Sequence, residues 1–303
     1  MDMDSDYTAT AERLEPALPA LGIDRLELLG AGDFCLAFAA DDDRVLRAAR
    51  HDEAARALAR EACAMERIAG ALPLAVPRPR FHHLPGAPPF SIHDRIPGEE
   101  LMREQWDALP DEARAGAARE IAEFLAALHS LRTDAVLACG VPVSDHAADA
   151  RRVLDGFRAA LRPRLAADVA ARVEGAFASY LDGGERWAYR PAILHGDFGP
   201  DHVMHDPETG RVTGVIDFGD LAIGDPARDF IYVHEDFGPD VLARLLPLYR
   251  LESPEAMFPR LRFHYLLSAT EWALSMREEG GRDDLTEVLE EIARESEFWA
   301  NGG

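Results

Sequence analysis

Two aspartates, each closing a short apolar run and separated by one hairpin, constrain this chain more than any other feature. The stretch "AILHGDFGPDHVMHDPETGRVTGVIDFGD", Ala192–Asp220, reads as strand, loop, hairpin and strand, with "DPETG" at 206–210 as the hairpin's turn. Ile193 and Leu194 lead into His195, Gly196 and Asp197, and a second apolar strand ends at Asp217. The hairpin folds Asp217 back beside the loop that carries Asp197 and His202. A compatible fold must bury both strands and still leave two carboxylates and an imidazole facing one space. A single aspartate at a strand end reads as a turn or helix cap; the set reads as a site. His195 is expected to support the loop, and His205 and Asp206 to be turn residues.

The first third is a different kind of structure. "RLELLGAGDFCLAF" alternates around Gly30 and Gly32 and reads as strand, glycine turn and strand, followed by a turn at "DDD" and a third strand, "RVLRAAR". Asp52 to Gly70 has an acidic start, helix formers and a closing glycine, so it reads as a helix. "PFSIHDRI" is a further strand, and "PGEE" at 97–100 is a natural hinge. Beyond it the pattern is mainly helical: Ile121, Phe124, Leu125 and Leu128 share one face. Helical runs are expected over about 147–181, 226–234, 238–250 and 254–277, with an acidic helix near 284–299.

Phosphoryl transfer from a nucleotide to a hydroxyl asks for this inventory. Mg²⁺ needs hard oxygen ligands, mostly carboxylates. The acceptor hydroxyl needs a carboxylate to orient it and take its proton. "HGDFGPDH", "IDFGD" and "GDPARDF" together resemble the protein-kinase-like aminoglycoside phosphotransferase family, most closely its 2''-phosphotransferase branch, from about Leu28 to Asp229. The resemblance implies an α+β fold of two lobes: a small β-rich nucleotide lobe, residues 1–97, and a larger, mainly helical catalytic and substrate-binding lobe, residues 98–303. It places Asp197 at the catalytic base, Asp217 and His202 at the metal-associated positions, and Asp225 and Asp229 as braces of the loop. Gly30 and Gly32 fall in the loop over the phosphates, Glu61 at the helix acid that pairs with the phosphate-binding cation, and His93, Asp94 and Ile96 in the segment gripping the base. Asp201, Asp220, Glu235, Asp236 and Glu271 fall where the family binds acceptor ammonium and hydroxyl groups. Trp272 is expected in the core.

One departure stands out. The phosphate-binding cation falls at Arg47, where the family has lysine. All 32 basic residues of this chain are arginine. Arginine keeps the charge and can bind phosphate bidentately, but its planar fork is not interchangeable with an ammonium.

Composition narrows the partners. A net charge of −23 without a basic patch argues against nucleic acid and fits cationic partners or, more commonly, simple solubility. No apolar run approaches the ~20 residues that span a bilayer. Cys35, Cys63 and Cys139 lack metal-ligand spacing, so a disulfide framework is not expected and the chain reads as cytoplasmic. The expected activity is a Mg²⁺-dependent transfer of the γ-phosphate of ATP or GTP to a small, cationic, hydroxylated acceptor. A kinase of a macrolide, choline or a sugar amine, and a non-catalytic nucleotide-binding protein, are the alternatives.

Overall fold

The structure is a computed structural model that describes residues 3–279 and 283–298. Trp299, at the expected end of the last helix, and the tail after it lie outside the described residues. A helix, α1 (Met3–Leu14), precedes an antiparallel five-stranded sheet. Its strands are β1 (Leu26–Ala31), β2 (Cys35–Ala40), β3 (Arg44–Ala49), β4 (Arg80–His82) and β5 (Phe90–Asp94), in the order β1-β2-β3-β5-β4. Alternation sorts the side chains of β3: Leu46 and Ala48 go into a core with Phe38, Phe90 and Ile92, while Arg47, opposite Ala37 and Ser91 in register, faces the other way.

Helix α2 (Asp52–Ile68) covers that second face. His51 caps it by accepting from the Ala54 amide at 3.2 Å, and Asp52 and Glu53 sit in its first turn. Its buried stripe is Ala54, Leu58, Ala64, Met65 and Ile68, with the acid Glu61 in the middle.

Past β6 (Glu99–Glu100) the chain is mainly helical: α3 (Arg103–Ala108), α4 (Asp111–Ser130), α5 (Asp134–Leu137), α6 (His146–Gly156) and α7 (Ala167–Asp182). The expected run over 147–181 is broken by a wide turn at Phe157–Leu161 and a tight one at Arg162–Arg164, where Pro163 removes a backbone donor. Strands β7 (Ala192–Leu194), β8 (Val203–His205), β9 (Val212–Val215) and β10 (Ala222–Gly224) follow, then α8 (Pro239–Leu245), α9 (Pro254–Glu279) and α10 (Asp283–Phe298). The run expected over about 226–234 is no continuous α-helix: a tight helical turn covers Pro226–Phe230 and a wide one Val233–Phe237. Ile121, Phe124, Leu125 and Leu128 of α4 pack with Ile193, Phe198, Val215 and Phe218, so one core grips both strand ends of the aspartate stretch. No described helix is long and apolar enough to cross a membrane.

Three expectations are corrected. Cys63 and Cys139 form a disulfide, with Cα atoms 5.6 Å apart. They are 76 residues apart in sequence, and only the docking of α2 against α5 brings them together; Arg67 adds a bond to the Ala135 carbonyl across the same contact. His205 is no turn residue: it is buried at the end of β8 and its Nδ1 donates to the Glu99 carbonyl at 2.9 Å. Trp272 is 58% exposed and leaves the core without it. The neighbouring Gly98, at φ +116, has the His205 carbonyl where a Cβ would stand, at 2.4 Å, so the chain between sheet and helices passes where only glycine fits.

Candidate active site

The aspartate loop is held from behind. Asp229 accepts from the His195 amide at 2.7 Å and the Gly196 amide at 2.9 Å. His129 Nε2 donates to the same carboxylate at 3.0 Å, and the Tyr249 hydroxyl donates to His129 Nδ1 at 2.9 Å. Burial pushes the Asp229 carboxyl up, but His129, His195 and the Gly196 amide together hold it below its ordinary range. The His195 ring donates to the Ile216 carbonyl at 2.9 Å, tying the first strand end to the second. Gly196 has φ +91 and stands against the Asp220 carbonyl.

Asp225 is a second bolt. It caps the following turn at Ala227, binds Arg260 at 2.9 Å and accepts from His264 at 3.0 Å, while its own amide donates to His146. Against burial, His264 and Arg260 bring its carboxyl down to about 2. Burial, with His264 and Arg228 adding to it, holds His146 neutral, at about 3.

Between these bolts the reactive groups are freer. The Asp197 carboxylate stands 3.9 Å from His202 Nδ1. That nitrogen donates to the Asp197 backbone carbonyl at 2.7 Å, so a neutral His202 keeps its lone pair on Nε2, which lies 3.5 Å from Asp201. Burial pushes the Asp197 carboxyl up; His202 opposes it, and Asp220, Asp201 and Asp217 reinforce it.

Asp217 adopts φ +58, a left-handed conformation that costs a non-glycine residue about 1 kcal/mol or more. The turn aims one oxygen, Oδ1, at Arg47 Nη2 at 3.0 Å and at the Gly219 amide at 3.2 Å. A Cβ on Gly219 would crowd both Asp217 and Arg47, at 3.2 and 3.3 Å. Arg47 Nη1 meanwhile binds both oxygens of Glu61, at 3.1 and 3.0 Å. One guanidinium therefore bridges the sheet, α2 and the end of the aspartate stretch. Burial lifts Asp217, but Arg47, His202 and the Gly219 amide outweigh it and hold the carboxyl low. Glu61 is 2% exposed on its side chain, and burial pushes it up to about 7 against the pull of Arg47.

The group most in need of a fit test is Mg²⁺. No cluster of three or more His, Cys, Asp or Glu able to hold a metal occurs among the described residues. Mg²⁺ at nucleotide sites takes one or two carboxylates and completes its shell with waters and phosphates. Asp217 fits that demand, because Oδ2 makes no hydrogen bond or ion pair among the described residues. His202 is a poor match for an oxygen-seeking ion and is already bonded to the Asp197 backbone.

Of the remaining expected residues, Asp197 and Asp220 line one polar cleft of about 380 Å³. Burial and then Asp201 push the Asp236 carboxyl up, and Glu235 is pushed to about 7 by burial and then by Asp236 and Glu291. Glu271 lies apart, bound to Arg152 at 2.6 Å. His93 is buried at the end of β5 with its ring on the Asp94 carbonyl, and Ile96 is buried beyond it. Gly30 and Gly32 form an open hairpin end, with Leu28, Leu29 and Phe34 exposed around it. Sequence reasoning missed five polar residues of the Asp197 cleft: Ser144, His146, Asp149, Arg228 and Tyr232. Arg228 lay inside the quoted "GDPARDF"; the others carry no motif. A larger cavity, about 410 Å³, lies behind Asp229 between His129 and Leu251 and does not reach Asp197.

Viomycin phosphotransferase of Streptomyces vinaceus is 30% identical over 163 residues, 53% of this chain and 55% of that protein. The uncharacterized protein YcbJ of Bacillus subtilis is 27% identical over 226 residues, 72% of each chain. Among solved structures, the GDP and kanamycin complex of APH(2'')-IIIa superposes with a TM-score of 0.83 at 23% identity, covering 95% of this chain and 97% of that one. The family described as the phosphotransferase enzyme family matches residues 36–264. With three quarters of its length inside that match, the chain belongs to the phosphotransferase enzyme family.

Proposed function

We propose that this enzyme moves the γ-phosphate of ATP or GTP to a hydroxyl of a small, cationic, aminoglycoside-like molecule. The observation that carries the reading is the Glu61–Arg47–Asp217 chain ending beside Asp197, which supplies a phosphate cation, a metal carboxylate and a base in one place. Residues 1–97 act as the nucleotide lobe and 98–303 as the catalytic lobe. Arg47 turns its guanidinium to the donor's phosphates, with Glu61 holding the side chain; Gly30 and Gly32 cover them, and His93 to Ile96 meet the base. Mg²⁺, bound by Asp217 with His202 nearby, neutralises phosphate charge when present. Asp197 orients the acceptor hydroxyl and takes its proton as the acceptor oxygen bonds to the γ-phosphorus and the bond to the β–γ bridging oxygen breaks. Its raised pKa makes it a better base than an ordinary aspartate. Asp201, Asp220, Glu235 and Asp236 attract the acceptor's ammonium groups; Glu271 acts only through Arg152.

A cytoplasmic location belongs to the same proposal, and the Cys63–Cys139 disulfide weighs against it, because such bonds persist in oxidising compartments. The absence of a nucleic-acid partner rests on charge alone. Phosphate transfer to an acceptor panel, run with ATP and with GTP, tests the reading with Asp197→Ala as control. Equal rates for wild type and variant across the panel refute it.

A further inference from the structure

The cleft beside Asp197 is not uniformly acidic. Asp149, Asp197 and Asp220 line it, and so does one arginine, Arg228. Among the described residues, the Arg228 guanidinium has no hydrogen bond and no ion pair, in a chain carrying 55 acids. Its place is not accidental slack. It lies in the turn Pro226–Phe230, between Asp225, bolted by Arg260 and His264, and Asp229, bolted to the His195 and Gly196 amides. The backbone is pinned on both sides, and the half-buried side chain is turned toward solvent in the cleft. Tyr232, one turn on, shares that wall, and its hydroxyl feels the opposed charges of Asp197 and Arg228.

A half-buried guanidinium without a partner has lost part of its hydration and gained no bond in return. A carboxylate or a carbonyl on a bound molecule would supply that bond. An ammonium group in the same place would be repelled, while the aspartates across the cleft would draw it to the other side. We propose that Arg228 is an acceptor-specificity residue that binds a carboxylate or carbonyl group, so that the acceptor is a mixed-charge amino alcohol rather than a pure polycation. This rests on the acceptor cleft assigned above.

Three alcohols that share a 2-hydroxypropyl stem and differ in the charged groups on it test it: threonine with both, 1-aminopropan-2-ol with the ammonium alone and 3-hydroxybutyrate with the carboxylate alone. Each is titrated calorimetrically into the full-length protein and into Arg228→Gln and Arg228→Lys. Threonine binds wild type at least tenfold more tightly than 1-aminopropan-2-ol, a factor set by one charge-assisted bond. Arg228→Gln removes that advantage and leaves 1-aminopropan-2-ol within twofold of wild type or tighter; Arg228→Lys keeps part of it. The proposal is overturned if 1-aminopropan-2-ol binds wild type as well as threonine, if Arg228→Gln preserves the threonine preference, or if none of the three binds. Binding needs no turnover, so a protein that shows this preference but transfers no phosphate would refute the catalytic reading and leave the Arg228 assignment standing.

Discussion

Replacing Arg47 by methionine keeps the unbranched apolar stem and removes the charge that Glu61 faces. In the structure Glu61 has a side chain 2% exposed and both its oxygens bound to one guanidinium nitrogen, at 3.1 and 3.0 Å. Removing one partner of a buried pair costs about 3–5 kcal/mol, because the remaining charge is stranded. The second bond, to Asp217, reaches a side chain 41% exposed, and its loss adds little after screening. At about 2 °C per kcal/mol for a chain of this size, the variant melts about 6–10 °C lower at pH 8.5. The sign of the pH dependence follows from Glu61. Its folded pKa, about 7, already exceeds the ordinary 4.5, so its contribution is most favourable when protonated and is lost as pH rises through 7. Without Arg47 that pKa rises further, and the deficit shrinks toward pH 5, where Glu61 is neutral in both proteins. Glu61→Gln and the double variant complete a cycle; with Glu61 at about 7, the pH-dependent coupling reaches at most about 2 kcal/mol at pH 8.5 and disappears at low pH. Thermal melts of the four proteins across pH give every number. A loss below 1 °C at pH 8.5, or one unaffected by Glu61→Gln, would refute the bridge.

Arg47→Lys replaces the planar fork by a shorter point-charge ammonium, so the nucleotide KM or kcat shifts at least severalfold; unchanged kinetics would place Arg47 away from the phosphates. Gly196→Ala puts a Cβ 2.1 Å from the Asp220 carbonyl, which displaces Asp197 and lowers kcat at least 100-fold, roughly the effect of an ångström of misplacement, read in an acceptor assay beside a melt. Reducing Cys63–Cys139 releases a 76-residue separation, worth up to about 4 kcal/mol in chain entropy; dithiothreitol therefore lowers Tm in wild type and leaves the Cys63→Ser/Cys139→Ser protein unmoved. Glu235 sits at about 7 in the folded protein against an ordinary 4.5, so its penalty appears as pH rises from 4.5 through 7. Glu235→Gln raises Tm at pH 8.5 and not at pH 4; a gain of the same size at both would contradict the shift.

The sequence by itself determined the local pieces and their order. Alternation around Gly30, the capped helix from Asp52 and two apolar strands each ending in aspartate are short-range patterns, written in neighbouring residues. Together with the resemblance to the aminoglycoside phosphotransferase family, they put Arg47, Glu61, Asp197 and Asp217 forward as candidates for one site. What they did not contain was distance across the fold. Whether Arg47 would reach Asp217 depended on the left-handed turn at Asp217 and on a glycine at 219 with no Cβ in the way. Cys63 and Cys139 looked solitary because no pattern links a residue on one helix to one in the turn after another when the two meet only through packing. His205 looked like a turn residue because polar character marks turns, yet β8 carries it inside to the Glu99 carbonyl. The resemblance drew Glu271 toward the acceptor, and aromatic character drew Trp272 toward the core; an arginine claimed the first and solvent the second. Arg228 was visible all along inside a motif, but an arginine without a partner is a property of three dimensions. Only the tertiary structure decided which charges met and which were left waiting for a ligand, because pairing is settled by side chains brought together from distant segments.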